Sequence, residues 1–128
     1  MAIITLAAAL FALCADAPRT TCVVDGDTFW LSGQKVRIAD INAPETHGAG
    51  CPAEQALGER ATRRLITLLN AGPFALEIEG RETDRYGRAL RVVRRGGRSL
   101  GAQLVDEGLA EPWRGKRSNW CALLASRD

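Results

Sequence analysis

A mainly β fold with packed helices (β+α) is predicted from three features of the chain. Short segments of alternating polarity run from Thr20 to Ile41, the spacing turns helical from Pro52 to Asn70, and two more alternating segments precede a second, shorter helical stretch. With 128 residues, there is material for one domain around one modest core, so scaffold and site must share the same hydrophobic cluster.

The first strands are expected at Thr20 to Val24, Thr28 to Leu31 and Lys35 to Ile41. Asp25-Gly26 supplies a tight reversal between the first two, and Ser32-Gly33 a hairpin turn between the second and third. From Pro52 to Asn70, Leu57, Ala61, Leu65, Leu68 and Leu69 recur at steps of three and four; Pro52 stands at the first turn, Glu54 near the positive end, and Gly72 beyond the stop. Phe74, Leu76 and Ile78 then alternate with polar or small neighbours, as do Leu90 and Val92, giving two more strands on either side of the loop Gly80 to Gly87. Ser99 is a good cap for a helix that runs through Leu104 to a stop at Gly108. Five strands with a helix after the third and another after the fifth suggest a five-stranded, partly open barrel of the OB type with two to three helices packed outside it. The tail after Pro112 shows no sustained period.

The formal charge of +2 is too small for wholesale coating of a polyanion, but its distribution is uneven. From Arg81 to Arg98 seven arginines face only Glu82 and Asp84. Guanidinium forks match phosphate oxygens in pairs, so this stretch is either a phosphate track or a solvated strand face.

The apolar run Ile3 to Leu13, followed by Ala15-Asp16-Ala17, has the length of an export leader. No Lys or Arg precedes it, which makes the leader atypical; the expected division is a signal peptide at 1–17 and the domain at 18–128, with export to the periplasm or beyond the cell. The competing reading makes the run a buried first strand or helix of the domain. Cys14, Cys22, Cys51 and Cys121 allow three complete pairings and lack metal-ligand spacing. Disulfides are expected in an exported domain: Cys51 with Cys121, and Cys14 with Cys22 if cleavage falls before Cys14. Cleavage after Ala17 would leave one thiol over.

The chemistry lies in Asp25-Gly26-Asp27-Thr28, Arg37, Asn42-Ala43-Pro44-Glu45 and Asp84-Arg85-Tyr86-Gly87-Arg88. Carboxylate and carboxamide oxygens suit a hard divalent cation, a carboxylate can take a proton from water, and two guanidiniums can clamp a phosphate. Each piece alone is ordinary: Asp-Gly is a common turn, and a single arginine is usually a surface charge. In this order and together they point to cleavage of a phosphodiester. His47 reads as an exposed loop residue, and Trp30, Trp113 and Trp120 as packing rather than base-stacking platforms, with stacking by Trp113 the minority view.

These motifs, with Val24 before the first, Val36-Arg37-Ile38 and Glu107-Gly108-Leu109-Ala110, make the chain from about Thr21 to Ala110 resemble a staphylococcal (thermonuclease-like) nuclease domain. The resemblance implies an OB-fold, calcium-dependent endonuclease that hydrolyses DNA and/or RNA by metal-assisted attack of water, working as a monomer without a protein partner. It implies Asp27 and the Ala43 carbonyl as calcium ligands, Asp25 as their support, and Glu45 as the group that activates water. Arg37 and Arg88 would clamp the phosphate, with Arg85 and Tyr86 beside the bound nucleotide. One position departs from the family: the second calcium carboxylate falls on Asn42, so weaker calcium binding is expected. Asp40 should point to the other side of its strand or sit at its rim; period-two alternation disfavours its substituting for Asn42 as a ligand. The alternative is a catalytically inactive OB-fold module that only binds nucleic acid.

Overall fold

The computed structural model describes residues 3–6 and 10–126. Its elements are β1 (Ile3–Leu6), β2 (Cys22–Asp25), β3 (Thr28–Leu31), β4 (Gln34–Ile38), β5 (Ile41–Asn42), α1 (Pro52–Asn70), β6 (Phe74–Glu77), β7 (Ala89–Arg95), β8 (Arg98–Ser99), α2 (Leu100–Asp106), β9 (Glu111–Pro112) and α3 (Trp120–Ala125). The five strands expected from sequence, β2, β3, β4, β6 and β7, form the body of one mixed sheet in the order β1-β6-β7-β4-β3-β2, with β8 paired to β7. All its pairings are antiparallel except β4 against β7. That parallel contact lets a strand from the first half of the chain lie beside one from the second. It puts Arg37 opposite Leu90, two residues beyond Arg88.

Local sequence explains each reversal. Ser32 and Gly33 both adopt positive φ, 50° and 82°, the backbone that a two-residue hairpin matching strand twist requires. A register shift between Val23 and Asp25 bulges β2 before the turn at Gly26-Asp27, and so re-aims the two aspartates. β4 ends at Ile38, where the expected strand would have continued to Ile41; the chain turns at Ala39-Asp40, and Ile41–Asn42 leave the main sheet to pair with Glu111–Pro112.

Helix α1 has the expected bounds, with Pro52 in the first turn. Its apolar face, Leu57, Ala61, Leu65, Leu68 and Leu69, joins Val23, Phe29, Val36, Ile38, Phe74 and Val93 in one core. Ser99 caps α2 by accepting from the Ala102 N–H, and Gly108 follows at φ 76°. Helix α3, in the tail where no period was visible, is capped by Asn119 and sinks Trp120 into the core. No helix among the described residues is long and apolar enough to cross a membrane.

The N-terminal run lies partly outside the described residues. Within them, β1 pairs with β6, and Phe11 is buried against Phe29 and Phe74. The Asn70 side chain fixes Phe11 from both directions, Nδ2 donating to its carbonyl and Oδ1 accepting from its N–H. Both disulfides join the expected partners, Cys14 with Cys22 and Cys51 with Cys121. A cut after Ala17 would therefore remove Phe11 from the core and Cys14 from its bridge.

Candidate active site

Asp27 stands at the start of the site because the bulge and turn point its carboxylate inward. Its Oδ1 accepts from Thr28 Oγ1 at 2.9 Å, its Oδ2 from the Ala43 N–H at 2.9 Å, and Arg37 Nη2 lies 3.5 Å from Oδ2. Burial opposes its charge, but Arg37 and these donors prevail and hold its pKa below the ordinary value. Asp25 beside it has the opposite fate: burial, then the Asp27 charge, pushes its carboxyl up to about 8. Two acidic groups so close cannot both ionise easily unless a cation joins them.

Arg37 is 6% exposed. Its Nη1 donates to the carbonyls of Ile38 and Ile41, the latter at 2.9 Å, and its guanidinium lies 5.6 Å from the Trp113 ring centre. Trp113, read from sequence as packing, is 43% exposed and lines the mouth of the site. Arg88 reaches the same cleft from the loop before β7. Its Nε lies 2.5 Å from Asp84 Oδ2, and its guanidinium 5.4 Å from the Tyr86 ring. Asp84 also accepts from the N–H groups of Tyr86 and Arg88, which pins the loop. Arg85 donates to the Tyr86 hydroxyl at 2.9 Å. Together Arg37, Arg81, Arg85, Arg88 and Arg117, with Tyr86 and Trp113, line an open cleft of about 500 Å³.

Glu45, like Asp27, Asn42 and Ala43, is not among the residues that line this cleft, but Arg117, which does line it, contacts Glu45 Oε1 through Nη1. The positive charge of Arg117 also acts on Asp27 and Asp25. Two features fix the Glu45 backbone. Its N–H donates to the buried Glu54 carboxylate at 3.1 Å, and α1 presses on it at Gly58, where a Cβ would stand 2.6 Å from the Glu45 carbonyl oxygen.

Asn42 is buried next to Ala43, the other residue read as a ligand. Its Nδ2 donates to Glu111 Oε2 at 2.7 Å, while its Oδ1 is buried with no hydrogen-bond partner among the described residues. Such an oxygen is costly unless something meets it. Asp40 lies in the turn after β4 rather than within the strand, and its Oδ2 accepts from Ser99 Oγ at the start of α2. Among the described residues no three His, Cys, Asp or Glu side chains form a metal cluster. The available donors are instead an acidic pair, a carboxamide oxygen and backbone carbonyl, an all-oxygen set that fits a hard cation tolerant of irregular geometry.

Sequence reasoning missed Arg117, Glu111 and the bond from Glu54 to Glu45. Glu54 was visible as an acid in the first turn of a helix, but its partner was not. Arg117 lies in the aperiodic tail and Glu111 just before it, and they meet partners 72 and 69 residues away.

A family model for staphylococcal nuclease homologues matches residues 35–121. Among similar curated proteins, Endonuclease YncB of Bacillus subtilis is 38% identical over 92 residues, covering 68% of this chain and 43% of that protein. Micrococcal nuclease of Shigella flexneri is 36% identical over 107 residues, covering 72% and 55% respectively. Thermonuclease of Staphylococcus hyicus is 34% identical over 92 residues, covering 69% and 54%. The chain belongs to the staphylococcal nuclease homologue family. It matches about half the length of these relatives.

Proposed function

We propose that the protein is a calcium-dependent nuclease that hydrolyses phosphodiester bonds of DNA and/or RNA. The observation that carries this reading is a cleft lined by Arg37, Arg88 and Arg117, the last of which contacts the Glu45 carboxylate. A module that merely holds a nucleic-acid backbone has use for the arginines but none for a carboxylate presented beside them.

In this reading Arg37 and Arg88 bind the non-bridging oxygens of the scissile phosphate and gain strength as negative charge grows there. Arg117 adds a third guanidinium on the Glu45 side. Glu45 takes a proton from water as the water oxygen bonds to phosphorus and the ester bond breaks. Tyr86 and Trp113 flank the cleft as surfaces for neighbouring bases, and Arg85 lies along the strand's path. Asp27, Asn42 Oδ1 and the Ala43 carbonyl would hold calcium, with Asp25 in support. Bound there, calcium would supply positive charge to the anionic transition state. Two disulfides agree with an oxidising compartment, so export belongs to the same reading.

Incubation of plasmid DNA and of RNA with the purified protein, with calcium and then with chelator, tests this reading. Cleavage that requires calcium supports it. Retention of nucleic acid without cleavage would favour the inactive binding module, and cleavage undiminished by chelator would remove calcium from the account.

A further inference from the structure

We propose that Glu111 is a positioning residue for the cation site: it turns the Asn42 carboxamide so that its oxygen faces the ligands. The inference rests on the calcium reading above and names a device within it.

The fold sets the pair face to face. β5 and β9 form a two-stranded ladder in which Asn42 and Glu111 are direct cross-strand partners. A carboxylate at position 42 would stand against the Glu111 carboxylate, and like charges directly opposite are destabilising. Asparagine removes that conflict and adds a donor, and Nδ2 meets Glu111 Oε2 at 2.7 Å. Because the two ends of a carboxamide point apart, holding Nδ2 fixes where Oδ1 points. That oxygen is the buried, unpartnered one. Glu111 is itself held, accepting from Ser118 through both N–H and Oγ. Its negative charge returns to the neighbourhood part of what asparagine gave up.

The pair therefore behaves as a unit, and its two members should not mutate independently. Calorimetric titration with calcium would be run on the wild type, Glu111→Ala, Glu111→Gln, Asn42→Asp and the double variant Asn42→Asp/Glu111→Ala. Thermal unfolding of each in chelator would report folding. Loss of the orienting acceptor in Glu111→Ala should weaken calcium binding by about 10- to 100-fold, the usual range for groups that orient a ligand. Glu111→Gln, which keeps an acceptor oxygen, should fall between that variant and the wild type. A carboxylate at 42 has two equivalent oxygens and needs no orienting, so the double variant should bind at least as tightly as the wild type, although Asn42→Asp alone gains little.

Folded Glu111→Ala with wild-type affinity would overturn the proposal. So would an equal gain from Asn42→Asp with and without Glu111, even if Glu111→Ala had lost stability. A wild type that takes up no calcium would instead overturn the cation reading, and this proposal with it.

Discussion

Glu45 takes its position from contacts of different kinds. Its backbone is fixed by Glu54 and by the close approach of α1, whereas its side chain has the half-exposed Arg117 as its one polar partner among the described residues. A fixed backbone with an adjustable carboxylate suits the role of proton acceptor proposed for it. Glu45→Gln keeps the shape and removes the base, so the rate should fall by about 10² to 10⁴ with little change in stability; steady-state kinetics on a short oligonucleotide would show this, and a rate within a few-fold of wild type would exclude the role. Asp84 governs the opposite wall by tethering Arg88. Burial works against its charge, yet the N–H groups of Arg88 and Tyr86 and the Arg88 guanidinium lower its pKa below the model-compound value of 3.8. Its contribution to stability is thus complete above that value and is lost as pH falls through the lower folded value. Asp84→Asn should lower the unfolding temperature at pH 7, with the gap to wild type narrowing as pH falls below 3.8, and should reduce turnover by up to about 100-fold as Arg88 drifts. A gap that stayed constant from pH 7 to pH 2 would refute the tether.

At the scale of elements, the position of α1 matters more than its existence. A methyl group at Gly58 would meet the Glu45 carbonyl oxygen at 2.6 Å and the Pro44 oxygen at 2.9 Å, both backbone atoms that cannot step aside cheaply. Gly58→Ala should therefore cost about 1 to 3 kcal/mol in denaturant unfolding and lower kcat more than it raises KM. Wild-type kcat and stability together would show that the helix does not set the catalytic loop. This helix could be read from its spacing because one face carries Leu57, Ala61, Leu65 and Leu69, and burial follows that face. Strand β6 was readable for the analogous reason, burial that alternates with a period of two. β4 misled the period because Arg37, polar by type, is buried between Val36 and Ile38 and held by backbone carbonyls. β9 and the tail after it were opaque, since β9 and α3 owe their places to Asn42, Ser118 and Cys121 rather than to any pattern of their own.

Across the whole molecule, the site is assembled from segments that only the tertiary fold brings together. Order along the chain and family likeness pointed to Asp27, Arg37, Glu45 and Arg88, but Glu111 and Arg117 become visible only when β5 meets β9 and the tail crosses the cleft. The Cys51–Cys121 bridge anchors that tail, tying α3 to the residue before α1 across a separation of 70 residues. By loop-closure entropy its removal should cost about 4 kcal/mol, against about 2.5 kcal/mol for Cys14–Cys22, which spans 8 residues. Double serine variants compared by chemical unfolding, with nuclease rates measured alongside, should show the Cys51/Cys121 pair losing more stability and more activity. The reverse order would mean that the N-terminal bridge, not the tail, holds the site together.

All of this depends on one cleft receiving one phosphate. A crystal structure with calcium and a phosphorothioate dinucleotide bears on that claim most directly. The account predicts the cation against Asp27 and Asn42 Oδ1, the phosphate between Arg37 and Arg88, and the Glu45 carboxylate within hydrogen-bond reach of a water beside phosphorus. A phosphate bound away from Arg37, with Arg88 or Glu45 turned outward, would contradict it.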